Sequence, residues 1–128
     1  MTRILFVDDE HAVLEAMQRS FRRRFDVVTA GGGAAGLEIL QADPSIAVVI
    51  SDMRMPGMDG AEFLAAVSER YPNVPCILLT GSTPAEYASC VPVFQFLAKP
   101  IGRAELQLAI ESALEHGKSP PCQKVSTQ

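Results

Sequence analysis

Five residues of the 128-residue chain combine the types and the placement that chemistry asks for: Asp8, Asp9, Asp52, Thr80 and Lys99. Each stands at or just beyond the end of a short apolar run: Ile4–Val7, Ile46–Ser51, Pro75–Thr80 or Val93–Leu97. Such runs read as strands buried on both faces. Open α/β sheets hold their ligands at the carboxyl ends of strands of this kind. Three carboxylates in one crevice repel one another, so they either take up protons or share a cation. A hard divalent ion with oxygen ligands meets that need, and Mg²⁺ suits a shallow site that keeps its waters. The loop pattern of an EF-hand, which would enclose Ca²⁺, is missing from the sequence. Lys99 adds a movable point charge suited to phosphate oxygens, and Thr80 adds a hydroxyl donor. Around one oxygen anion this set favours attack by the Asp52 carboxylate on a phosphoryl donor, with an aspartyl phosphate as product. The metal and Lys99 would stabilise charge on the transferring oxygens.

The elements that must deliver these groups can be read in order. After Ile4–Val7, the apolar residues Val13, Leu14, Met17 and Phe21 recur at helical spacing. Phe25–Ala30 reads as a second strand and Gly31–Gly33 as a turn, followed by a short helix marked by Leu37 and Leu40 that stops before Pro44. The third strand, Ile46–Ser51, leads through Asp52 into a loop with Pro56 and Gly57. Asp59 and Glu62 then have capping-box spacing for a helix whose inward residues are Phe63, Leu64 and Val67. A fourth strand, Pro75–Thr80, precedes a short fourth helix announced by Thr83-Pro84-Ala85-Glu86 and ended by Pro92. Val93–Leu97 is expected as the fifth strand, and Leu106, Ile110 and Leu114 as the stripe of a last helix.

Strict alternation of strand and helix predicts a parallel sheet covered on both faces, and right-handed crossovers leave few topologies open. The expected fold is α/β, flavodoxin-like and doubly wound, with five strands in the order 2-1-3-4-5 and a crevice between strands one and three. Residues 1–116 are expected to form the domain, and 117–128, which have no apolar period, a tail or the start of a linker.

Composition narrows the function classes. At 48% apolar residues the chain can build a core, and its net charge of −4 gives no electrostatic footprint for nucleic acid. The basic run Arg22-Arg23-Arg24 falls at a helix end, where cations suit the helix dipole. No stretch reads as a signal peptide or a membrane span. Cys76, Cys90 and Cys122 lack metal spacing and point to a reducing cytoplasm, while His11 and His116 are too scattered to complete a zinc site. His11 is expected to be a surface histidine influenced by its neighbouring acids.

Taken together, ILFVDDE, SDMRMPGMDG, LLTG and FLAKP resemble the receiver domain of bacterial two-component response regulators, over roughly residues 2–116. The resemblance implies a signalling domain that catalyses only its own phosphorylation and slow hydrolysis. Asp52 would be the phospho-acceptor, Asp9 a direct Mg²⁺ ligand, Asp8 a ligand mainly through water, and the backbone carbonyl of Arg54 a further ligand. Thr80 would sense the phosphoryl group, Lys99 would pair with it, and Phe96 would be the aromatic switch residue. A cis Lys99–Pro100 bond is implied too. The implied partners are a sensor histidine kinase or a histidine phosphotransfer protein, with a C-terminal output domain or a separate effector downstream. Where the family usually has a longer stretch between Thr80 and Lys99, this chain is shorter by nearly one helical turn.

Other readings compete for the same residues. Asp52 could be a plain turn acid, Thr80 strand-end filler and Phe96 an ordinary core aromatic. A receiver that docks without phosphate is a further alternative. The run GGGAAG at Gly31–Gly36 matches G-x-G-x-x-G after a strand, with Asp52 about 20 residues on, as in a dinucleotide-binding fingerprint. Against it, a strand with its own acid pair comes first, and the chain is short for two mononucleotide halves. Phosphatases of the haloacid-dehalogenase kind carry D-x-D after the first strand, where this chain has DDE.

Overall fold

A computed structural model describes residues 1–81, 93–98 and 101–116. Lys99, the Lys99–Pro100 bond, the short fourth helix expected from Thr83, and the tail 117–128 lie outside the described residues. In chain order the elements are β1 (Arg3–Val7), α1 (His11–Phe21), β2 (Asp26–Ala30), α2 (Gly33–Ala42), β3 (Ile46–Asp52), α3 (Gly60–Arg70), β4 (Cys76–Thr80), β5 (Gln95–Ala98) and α4 (Arg103–His116). The five strands form one sheet in the order β2-β1-β3-β4-β5, all pairs parallel.

Alternation along the central strands divides the core in two. Ile4 and Phe6 of β1, Val48 and Ile50 of β3, and Ile77 and Leu79 of β4 face one side. There they pack with Leu14 and Phe21 of α1 and with Leu106, Ala109, Ile110 and Ala113 of α4. Leu5, Val7, Val49 and Leu78 face the other side, against Leu40 of α2 and Phe63, Leu64 and Val67 of α3. That explains why the strands read as continuous apolar runs: both faces are covered. Each large side chain so buried contributes roughly 1.5–3 kcal/mol.

Three strands start later than the apolar pattern suggests, β4 by one residue, at Cys76 rather than Pro75. Ladder pairing of β5 begins at Gln95, opposite Ile77, rather than at Val93. Val93 is buried by packing before the ladder starts, and the Phe94 N–H donates to the Cys76 carbonyl at 2.8 Å. Phe25 likewise belongs to the turn after α1, where its N–H donates to the Phe21 carbonyl and its ring lies 6.4 Å from that of Phe21. Burial alone does not distinguish a strand residue from a core residue of a loop.

The amino rim of the sheet is tied by one arginine. Arg3 Nε donates to Asp26 at 2.8 Å and Arg3 Nη1 to Asp43 at 2.6 Å, joining β1, β2 and the α2–β3 connection. Ser45 donates to the same Asp43 through both its hydroxyl and its N–H. The Ser45 hydroxyl first, and Arg3 second, pull the Asp43 carboxyl down to about 2. Arg22, Arg23 and Arg24 are exposed at the end of α1, as expected of a solvated helix end. Cys76 is buried and free, and burial pushes its thiol up to about 12.

Candidate functional site

Register alone brings the acids together. In the β1–β3 ladder Val7 is opposite Ser51, so one step further along the rim Asp8 meets Asp52. In the β3–β4 ladder Asp52 is opposite Leu79, which puts Thr80 one step beyond. A slip of one residue in either ladder would turn these side chains to the other face. Carboxylate oxygens of Asp8, Asp9 and Asp52 lie within 4.8 Å of one another. Asp8 and Asp52 are buried and Asp9 is exposed, so the trio opens to solvent on one side. The Asp8 carboxylate also accepts the Glu10 N–H at 2.9 Å, which fixes its orientation at the start of α1.

The trio borders an open cleft of about 870 Å³, whose wall includes Asp9, Asp52, Arg54, Asp59 and Thr80. Thr80 is only 1% exposed and ends β4. The loop from β3 to α3 is shaped by Gly57, which takes φ +77°, a conformation that favours glycine. Asp59 caps α3 by accepting the Glu62 N–H at 2.8 Å, while Glu62 accepts the Asp59 N–H at 3.0 Å. This is the reciprocal box that the spacing predicts.

Of the site residues expected from sequence, the structure brings together Asp8, Asp9 and Asp52, and sets Thr80 and Arg54 on the same cleft. Lys99 lies outside the described residues. Phe96 is on β5, partly buried against the core beneath α2 and α3. His11 is a surface residue, its side chain 85% exposed and 3.1 Å from Glu15. A second hollow, of about 700 Å³, lies at the far end of α1 between Glu15, Arg19, Arg22 and Asp26. No metal-ligating trio forms there among the described residues.

GGGAAG has a packing explanation. A methyl on Gly36 would crowd the Phe63 ring and Val7, and one on Gly33 would crowd the Met58 side chain. These glycines let α2 approach α3 and the loop before it, without any pyrophosphate. Sequence reasoning passed over Ser51 and Gly60, which hold the backbone at Asp52. Their signal was available: a hydroxyl in an apolar strand, and a glycine at the first position of a capped helix.

Fold and rim together define a doubly wound domain with an acidic crevice at its topological switch point. Residues 4–111 match the response regulator receiver domain family. Over 116 residues the chain is 40% identical to the transcriptional regulatory protein GlrR of Escherichia coli K12, covering 88% of this chain and 26% of GlrR. The chain thus spans about a quarter of the length of such curated relatives. Among solved structures, a response regulator receiver domain protein from Clostridium thermocellum superposes with a TM-score of 0.86 at 31% identity, covering 92% of this chain and 98% of that one. The response regulator TrrA from Thermotoga maritima, in complex with Mg²⁺–BeF, superposes at 0.78 with 26% identity, covering 88% and 98%. The chain belongs to the response regulator receiver domain family, a signalling module of two-component systems.

Proposed function

We propose that this receiver accepts a phosphoryl group on Asp52 in a Mg²⁺-dependent reaction and thereby switches a partner- or output-binding surface. The observation that carries this reading is the convergence of Asp8, Asp9 and Asp52 to within 4.8 Å on a cleft shared with Thr80. An oxygen donor set of this kind, partly open to water, fits Mg²⁺. Asp9 and Asp52 would hold the ion directly, Asp8 mainly through water, and the Arg54 backbone carbonyl would complete the protein's share. Bound there, Mg²⁺ supplies positive charge against the phosphoryl oxygens and lowers the mutual repulsion of the acids.

In the transfer itself an Asp52 carboxylate oxygen attacks phosphorus. A new P–O bond forms while the bond to the donor breaks, and its electron pair leaves with the donor's histidine nitrogen or, for acetyl phosphate, with acetate. Thr80 donates its hydroxyl to a phosphoryl oxygen and Lys99 pairs with another. The modified Asp52 carries close to two negative charges. Drawing Thr80 toward it opens room that Phe96 can take, which reshapes the surface around β5 and α4. The phosphoryl donor is a sensor histidine kinase or a histidine phosphotransfer protein in the cytoplasm. Residues 1–116 would form the domain and 117–128 a tail or the start of a linker, with the switch read by an output domain or a separate effector. No helix among the described residues is long and apolar enough to cross a membrane.

Intact-mass spectrometry after incubation with acetyl phosphate and Mg²⁺ tests this reading. Wild type should gain one phosphate and Asp52→Asn none. A gain that persists in Asp52→Asn moves the acceptor elsewhere, and no gain in wild type leaves a docking module. Phe96→Ala should change partner affinity more than labelling rate, and equal loss of both would reduce Phe96 to a core residue.

A further inference from the structure

Two residues outside the acid trio bear on the backbone at Asp52 and Met53. The Ser51 hydroxyl donates to the Asp52 carbonyl oxygen at 2.9 Å, and Ser51 is 1% exposed. Its ladder neighbours are Val7 on β1 and Leu78 on β4, so the hydroxyl sits in an apolar row. A hydroxyl there is costly unless it makes a hydrogen bond. Val48 and Ile50 face the core under α1 and α4, while Val49 faces the core under α2 and α3. By alternation, Asp52 and Ser51 leave β3 on opposite faces.

On the Ser51 face the first residue of α3 closes over the same stretch of backbone. The Gly60 N–H donates to the Met53 carbonyl at 2.8 Å. A methyl on Gly60 would collide with the Asp52 carbonyl oxygen and stand 2.8 Å from the Met53 Cα. The Asp59–Glu62 box anchors α3 at this end, so the helix cannot easily back away.

We infer that Ser51 and Gly60 are positioning residues for phosphoryl transfer. Together they clamp the backbone at Asp52 where β3 gives way to the cleft, so the carboxylate starts from a fixed backbone and reaches phosphorus without reorganisation. The inference rests on Asp52 being the acceptor. Because Asp52 and the Arg54 carbonyl also belong to the proposed Mg²⁺ ligands, the clamp is read from the rate of transfer at saturating Mg²⁺, where any change in metal affinity no longer limits labelling.

The test compares wild type, Ser51→Ala, Gly60→Ala and a control, Val67→Ala, which trims the buried middle of α3 away from the cleft. Three quantities are read for each: the Asp52 labelling rate by acetyl phosphate at saturating Mg²⁺, the Mg²⁺ Kd by calorimetry, and the Tm. At saturating Mg²⁺, Ser51→Ala and Gly60→Ala should lower the rate about tenfold or more, and the measured Kd fixes the Mg²⁺ concentration that saturates each variant. Val67→Ala should lower Tm at least as far and leave the rate within about twofold. Ser51→Ala removes a single oxygen, so it carries the test even if Gly60→Ala does not fold. An unchanged rate in Ser51→Ala overturns the inference, as does an equal rate loss in Val67→Ala. Wild type that takes no phosphate at Asp52 overturns both this inference and the reading beneath it, whereas labelled wild type beside an unaffected Ser51→Ala sinks only the clamp.

Discussion

The two ends of the sheet treat carboxylates in opposite ways. At the amino rim Asp26 and Asp43 are both bound by the Arg3 guanidinium, with Ser45 adding two further hydrogen bonds to Asp43. At the carboxyl rim Asp8, Asp9 and Asp52 are gathered until their oxygens lie within 4.8 Å of one another. Acids answered by a fixed arginine join β1, β2 and the start of β3, whereas acids set against acids create a demand for a cation. One rim answers its acids with a fixed cation of the chain itself, and the other leaves three acids facing one another.

The sharpest way to break this contrast is to neutralise one acid at the carboxyl rim. Asp52→Asn should abolish phosphoryl labelling while leaving the circular dichroism spectrum and the cooperative melt of wild type. Loss of folding instead would mean that the carboxyl rim is structural as well. Next in size, Asp9→Asn should weaken Mg²⁺ binding about 10–100-fold by calorimetry. At a Mg²⁺ concentration of about 100 Kd, wild type should gain roughly 2.7 kcal/mol of stability, and Asp9→Asn should lose about half of that gain or more. Arg3→Gln, at the other rim, should leave the Mg²⁺ response intact but lower Tm by a few degrees at low salt, and by less at high salt, since these pairs are exposed and screened. A Mg²⁺ response altered as much by Arg3→Gln as by Asp9→Asn would erase the distinction between the ends.

The smallest effect concerns pH at the amino rim. Asp43 is held below its ordinary 3.8, at about 2, so its contribution to stability is fully present above the ordinary value and is lost as pH falls toward about 2. Ser45→Ala removes the hydroxyl that contributes most to the shift. Acid unfolding, followed by circular dichroism, should then begin at a slightly higher pH than in wild type. An unchanged or lower midpoint would show that Arg3 and the Ser45 N–H set the Asp43 carboxyl without the hydroxyl.

How legible these features were depends on their range. The capping box of Asp59 and Glu62, the inward stripe of Phe63, Leu64 and Val67, and the buried runs of β1, β3 and β4 follow from spacing within a few residues, and the structure has them as expected. Strand starts were less legible, because Val93 and Phe25 are buried without belonging to a ladder. GGGAAG shows the opposite failure. A local pattern matched a ligand fingerprint, while the space beside Gly33 and Gly36 is filled by Phe63, Val7 and Met58 from distant parts of the chain.

Residue types and periodicity thus decided that strands and helices alternate and that acids, a threonine and a lysine follow the strands. They could also favour one strand order, because crossover handedness leaves so few. Only three-dimensional pairing decided that Val7 stands opposite Ser51 and Asp52 opposite Leu79, and so which carboxylates meet. The Ser51–Gly60 clamp belongs to that second category, since the two residues are neighbours only once α3 has packed onto β3. Local chemistry is written along the chain, whereas distances between strands arise from how the whole core closes.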